Sequence, residues 1–305
     1  MLNVEVSESR MQGSFRTSCG RLAVVGLSGS GKTSLFRIIT GLAPSQAHVE
    51  VDHRDLSALP PYQRPIAFVP QRPSLVPHKT IAEQVAWVQR TSDDVIHQWR
   101  RILALEPLWH RRPPELSGGE QQRAALLRAW ASNPRILLLD EALSNVDRPH
   151  RRAIWEAIAQ HWPDDRLLVF STHEWDEAEA HAETILYVES GILYPLQARS
   201  QVAPATPSMA RLMGYIVALR DRVGRTVLLH PRLVLPGTAW PDAAVHIPGT
   251  LTITGSSPLT ARYRFENGGH TWTWTGPPAP SGTYDGLSLT TVVTPEFEWD
   301  KEGER

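Results

Sequence analysis

Lys32 is one of only three lysines in the chain, with Lys79 and Lys301, and it stands inside Gly26-Leu27-Ser28-Gly29-Ser30-Gly31-Lys32-Thr33. Glycines at this spacing let backbone N–H groups wrap phosphates where a helix begins, which is the Walker A arrangement. Lys32 then reaches the β- and γ-phosphates, and the Thr33 hydroxyl sits on a Mg²⁺ that bridges the same oxygens. Gly26, Ser28, Gly29, Ser30, Gly31, Lys32, Thr33 and Ser34 are therefore the expected nucleotide contacts. Farther on, Ile136-Leu137-Leu138-Leu139 ends in Asp140-Glu141, a buried strand delivering carboxylates to its C-terminal end. Asp140 is the expected Mg²⁺ ligand, through water, and Glu141 the expected general base that polarises the attacking water. By itself an apolar run ending in two acids reads equally as a strand entering an acidic loop. Ser117 with the amides of Gly118 and Gly119, opening a helix, makes a second anion site.

Two phosphate sites far apart in one chain need an explanation, and Leu116-Ser117-Gly118-Gly119-Glu120-Gln121-Gln122-Arg123 supplies it. This segment resembles the signature motif of the ABC ATPase family. The resemblance implies that two copies pair head to tail, so that the signature of one closes over the γ-phosphate held by the other. Three more positions are similar to family motifs in the right order. Gln71, after Phe68-Val69-Pro70, matches the glutamine that senses Mg²⁺ and links the site to a helical insert. Ser144-Asn145-Val146-Asp147 matches the D-loop, with Asn-Val where the family more often has Ala-Leu, and Asp147 would contact across the dimer. His173, after Phe170-Ser171-Thr172, matches the switch histidine at the γ-phosphate. Ala142 replaces a common proline and Pro70 a common aromatic, and neither change removes a reacting group. The family's adenine-stacking aromatic lies upstream of the glycine-rich loop, where Phe15 is the candidate.

The elements that must position these groups alternate. Arg21 to Val25 reads as a buried strand and Thr33 to Ile39 as a helix stopped by Gly41. Further strands are expected at 66–69, 136–139, 167–170 and 184–188, with helical patterns between them, so the class is α/β. The resemblance covers residues 1–200 and implies a P-loop ABC ATPase core with a helical subdomain over about 76–130. Past Gln197 the texture changes. Ala203-Pro204-Ala205-Thr206-Pro207 reads as a linker, and a short amphipathic helix is expected around Met209 to Leu219. Beyond it, residues 251–254, Tyr263 with Phe265, and the Thr-Trp repeat of 270–275 alternate as strands, with Asn267-Gly268-Gly269 turning the chain. A small OB-like β-barrel over 206–305 is the natural packing.

With 31 basic and 32 acidic residues the net charge of −1 provides no global field toward nucleic acid or anionic lipid. The one cysteine, Cys19, forms no internal disulfide and reads as an apolar filler. No run of about eighteen apolar residues occurs, and the N-terminus lacks a basic region followed by an apolar stretch, so neither secretion nor a membrane span is expected.

The tail resembles the regulatory barrel of prokaryotic importer ATPases for oxyanions, polyamines, iron or sugars, with Gly224 to Pro236 similar to a recurrent stretch there. Leu75-Val76-Pro77-His78-Lys79-Thr80 is similar to the importer segment lying against the permease. The resemblance thus implies an ATP-hydrolysing homodimer on the cytoplasmic face of the membrane. Its partners would be integral permease subunits and, indirectly, a solute-binding protein, with ATP and Mg²⁺ as cofactors and no nucleic acid. The competing expectation is a soluble, non-transport ABC ATPase using its barrel as a reader, for which Arg262 and Arg264 near Trp272 and Trp274 offer a surface.

Overall fold

A computed structural model describes residues 1–18, 20–198 and 204–215, together with seven strands between 217 and 289. Cys19 and, within the Gly224–Pro236 stretch, residues 224–225 and 230–233 lie outside the described residues. The chain divides into two compact units, Met1–Val202 and Ala203–Arg305.

The first unit opens with β1 (Leu2–Glu8) and β2 (Met11–Thr17), an antiparallel hairpin whose alternating residues face the core. β3 (Gly20–Val25) is apolar along most of its length because it is covered on both faces. The glycine-rich loop and α1 (Lys32–Thr40) follow, and Gly41 ends the helix in the left-handed conformation, φ 74°. β4 (His48–Val51) and β5 (Arg54–Asp55) extend the sheet on the β1 side, and β6 (Ile66–Val69) closes its other edge. The helical insert comprises α2 (Ile81–Val88), α3 (Asp93–Ile102) and α4 (Gly118–Ala131). Thr80 and Ser117 start α2 and α4 with reciprocal capping boxes to Glu83 and Glu120. Asp93 and Asp94 at the start of α3, and Arg100 and Arg101 at its end, complement the helix dipole.

The chain then returns to the sheet through β7 (Ile136–Asp140), α5 (Arg148–His161), β8 (Leu167–Thr172), α6 (Trp175–His181), β9 (Thr184–Glu189), β10 (Ile192–Leu193) and β11 (Gln197–Ala198). Strands β9-β3-β8-β7-β6 are neighbours in that order and run parallel. Their register aligns the ends that matter: Val25 pairs with Thr172, Asp140 with Ser171, and Val69 with Leu139. The loops that follow Val25, Val69, Asp140 and Thr172 therefore leave one edge of the sheet together, which is where open α/β sheets hold ligands. Phe15 faces the core beneath this sheet at 5% exposure, among Leu22, Leu35 and Val49. A side chain enclosed there cannot stack on a base, so the expectation that Phe15 receives adenine is corrected.

The second unit begins with α7 (Pro207–Leu212), capped by Thr206 and shorter than the sequence pattern suggests. Gly214, at φ 91°, ends that helical stretch, and Val217 already belongs to β12 (Val217–Arg220), paired with β13 (Thr226–Leu229). β14 (Val234–Pro236), β15 (Val245–Thr254), β16 (Ala261–Asn267), β17 (His270–Gly276) and β18 (Gly282–Leu289) form an antiparallel sheet in the order β14-β18-β15-β16-β17. Ile247, Leu251, Ile253, Tyr263 and Phe265 are buried, while Arg264 and Glu266 face out and pair at 2.7 Å. The side chains of Arg262, Trp272 and Trp274, and residues 268–269, lie outside the described set. Among the described residues, no helix is long and apolar enough to cross a membrane.

Candidate active site

The loop between β3 and α1 is held from below. A Cβ at Gly26 would approach Val188 O within 2.2 Å, and Gly31, at φ 114°, would place one 3.1 Å from the Met11 side chain. Only glycine satisfies both the crowding and the left-handed backbone. Gly29, also left-handed at φ 81°, faces open space, as do the exposed Ser28, Thr33 and Ser34. Ser30 turns inward at 7% exposure, and its carbonyl accepts from Gly191 N at 2.8 Å. Lys32 lies under the loop with its side chain 4% exposed, donating from Nζ to Gly26 O at 2.7 Å and Leu27 O at 3.1 Å.

Asp140 at the end of β7 is 2% exposed and fully engaged. Thr33 Oγ1 donates to its Oδ2 at 2.7 Å, and Ser171 Oγ donates to its Oδ1 at 2.6 Å. Ser171 in turn accepts from the Glu141 backbone N–H at 2.9 Å. A single hydroxyl thus orients both acids of the Asp-Glu pair. Ser171 was not singled out by sequence reasoning. The signal was there in the polar Ser-Thr that ends the apolar β8, but its partner is decided by the β7–β8 register.

Glu141 is the focus. Its backbone sits at φ 45°, a conformation rare for a branched-chain-free but bulky acid, and such positions cluster where function holds them. Its Oε1 lies 3.5 Å from Lys32 Nζ and 3.6 Å from His173 Nδ1. Its Oε2 accepts from Gln71 Nε2 at 3.1 Å. Lys32, Gln71, Glu141 and His173, each contributed by a different strand end, therefore meet around one carboxylate. This arrangement can hold a water beside a phosphate and take its proton. The Thr33 hydroxyl and Asp140 carboxylate form a pair of hard oxygens suited to Mg²⁺, which binds through one or two protein ligands plus phosphate oxygens and water. Among the described residues no three His, Cys, Asp or Glu side chains gather to hold a metal by protein alone.

The remaining sequence-selected residues stand apart from this cluster in their bonding. Ser117 caps α4: its N–H donates to Glu120 Oε2 at 2.7 Å, and its hydroxyl accepts from Glu120 N at 3.4 Å. The Ser117 N–H, and secondarily its side chain, hold the Glu120 carboxyl below its usual value by hydrogen bonding to it. Gly118 faces open space, whereas a Cβ at Gly119 would come 3.0 Å from Asn145 O, so the start of α4 rests on the segment leading to Asp147. Asp147 caps α5, accepting from His150 N at 3.2 Å and facing its Nδ1 at 2.8 Å, and the His150 ring lowers its pKa. Ser117, Gly118 and Asp147 are exposed.

Residues 14–144 match the model of the ABC transporter family. The chain is 36% identical over 206 residues to the Fe(3+) ions import ATP-binding protein FbpC of Brucella melitensis biotype 1, covering 63% of this chain and 58% of that protein. It is 34% identical over 224 residues to the spermidine/putrescine import ATP-binding protein PotA 1 of Pseudomonas aeruginosa, covering 69% of this chain and 58% of that one. The chain thus spans under two thirds of the length of these curated relatives. Among solved structures, an ATP-binding subunit of an ABC transporter superposes with TM-score 0.59 at 20% identity, over 65% of this chain and 89% of that one. A dimeric ATP-binding cassette in a post-hydrolysis state with ADP and Pi gives TM-score 0.56 at 23% identity, over 66% of this chain and all of that one. At such identities these structures establish the shared α/β fold.

Proposed function

We propose, from the match of residues 14–144 to the ABC transporter family, that the chain belongs to that family and that it binds and hydrolyses ATP to energise import through a separate permease. The observation that carries this reading is the convergence of Lys32, Gln71 and His173 on Glu141, beside the Thr33–Asp140–Ser171 chain.

The backbone amides from Gly26 to Thr33, with Ser34, wrap the phosphates, and Lys32 exchanges its loop carbonyls for β- and γ-phosphate oxygens. Thr33 and Asp140 would hold Mg²⁺, which would supply positive charge beside the phosphates. Glu141 accepts a proton from the attacking water, Gln71 orients the carboxylate and senses the metal, and His173 contacts the γ-phosphate. Ser117, Gly118, Gly119 and Asp147 complete the site of a second copy paired head to tail. The exposure of Ser117, Gly118 and Asp147 on the described chain supports that role.

The domains of this proposal are a nucleotide-binding core over 1–200, with its helical subdomain at 76–130, and an OB-like regulatory barrel over 206–305. The permease docks on the 72–88 segment, where Trp87 is 68% exposed with Lys79 5.6 Å above its ring. The chain works at the cytoplasmic face of the membrane, and a solute-binding protein supplies the permease. Iron and polyamine import are named for the relatives above; the solute here follows the permease. The test is purification from gently solubilised host membranes with an ATPase assay. A stoichiometric polytopic partner and Mg²⁺-dependent turnover are expected, and a soluble chain bringing down nucleic acid or ribosomes rules import out.

A further inference from the structure

Gln122, in the second turn of α4, is 1% exposed, and its Nε2 donates to Pro70 O at 3.1 Å across 52 positions of sequence. Pro70 immediately precedes Gln71, whose own Nε2 reaches Glu141 Oε2. A carbonyl accepts and does not donate, so only the NH₂ side of the Gln122 amide can face Pro70. Its Oε1 is left buried with no donor among the described residues. Packing alone gives no reason to keep that arrangement, because an unpartnered buried oxygen costs stability that an apolar side chain of similar shape avoids. The neighbouring Arg123 differs: it donates to Leu103 O at 2.6 Å and ties α4 within the helical insert. Adjacent residues of one helix thus secure it in two directions, to its own insert and to the end of β6.

We propose that Gln122 is a positioning residue for ATP hydrolysis. It transmits the placement of α4, and so of the Ser117–Gly119 segment that begins that helix, to Pro70, to Gln71 and through Gln71 to Glu141. The inference rests on the proposed ATPase function and assigns its internal coupling to a residue of the signature segment that has no role in the nucleotide contacts named above. In the head-to-tail arrangement, a second copy's nucleotide that shifts Ser117 moves this chain's own Gln71 through one side chain.

The experiment is a double-mutant cycle in the full chain, measuring kcat, KM for ATP and Tm for Gln122→Met, Gln71→Ala and the pair. Gln122→Met keeps length and volume and removes the donor. The expected result is a fall in kcat of about five- to tenfold with KM changed less than about twofold, the pattern of an interaction used in the transition state. Tm should hold or rise. In the Gln71→Ala background the same substitution should change kcat by less than about twofold, since the relay is already cut. Should Tm fall, Gln122→Leu is measured in its place and read by the same criteria. An unchanged kcat, or an equal loss in both backgrounds, overturns the proposal while leaving the ATPase reading intact. Absence of turnover in the unsubstituted chain overturns the ATPase reading, and this inference with it.

Discussion

The two phosphate-directed regions of the first unit are built in opposite ways. Around Glu141, groups from four strand ends are spent on one another: Lys32, Gln71 and His173 lie within 3.6 Å of its carboxylate oxygens. At Ser117 and Asp147 each polar side chain caps the helix that it begins, and both stay exposed. In the proposed function, the cluster around Glu141, satisfied across long sequence separations, acts as a preorganised reaction centre. In the same proposal, the two capped helix starts with outward faces are half of a site. Under the proposed function, the first region supplies the chemistry and the second is the closing surface offered to another copy.

The strongest way to break that contrast is to remove its centre. Glu141→Gln should lower turnover by on the order of a hundredfold or more while ATP still binds and holds a closed dimer. Rapid-quench hydrolysis alongside size-exclusion with and without ATP reads both, and wild-type turnover in the variant would refute the role. Next in size is a mixing experiment between Lys32→Ala, which should not bind nucleotide, and Ser117→Arg, which should bind but not close. Each alone should be inactive. Mixed, a head-to-tail pair places both lesions in one site and leaves the other whole, so activity should return to at most about a quarter of wild type. No recovery would mean that the two regions do not serve different copies.

Ser117→Ala sharpens the comparison more gently. Losing the cap should destabilise α4 by about 1 kcal/mol and lower turnover without abolishing ATP binding. The smallest effect lies behind the centre, where His181 stacks on Trp155 at 4.3 Å between ring centroids and an 8° interplanar angle. Burial, and secondarily the charge of Arg21, pushes the His181 pKa down from 6.5 to about 4. The unfolded chain therefore takes up this proton first. The contribution to stability is complete above about pH 6.5 and lost as the pH falls toward about 4. His181→Phe keeps the stacked ring and removes the proton, so its Tm should decline less than wild type between pH 7 and 5. Parallel declines would assign the acid sensitivity elsewhere.

The parallel strands were legible because full burial writes itself as unbroken apolar runs, as in Ile136 to Leu139 and Leu167 to Phe170. The glycine-rich loop was legible because steric demands there admit few residue types. Phe15 was misread for a related reason: a core aromatic and a stacking aromatic are the same letter, and only its burial in the core separates them. The helix expected to reach Leu219 stops at Leu212, because Gly214 in the left-handed region outweighs a continuing apolar pattern.

Residue chemistry and local spacing alone determined which groups are candidates to handle phosphate, which strands are buried and where helices begin, since those depend on side-chain type and on neighbours a few positions away. Tertiary structure decided the partnerships. That Ser171 holds both acids and that Gln71 and His173 share Glu141 follow from strand order and register, and that Gln122 grips Pro70 follows from the packing of α4 beside the end of β6. Contacts across separations of 30 to 70 positions leave no mark on a single sequence, because hydrogen-bond donors and acceptors are interchangeable until the sheet brings particular ends together.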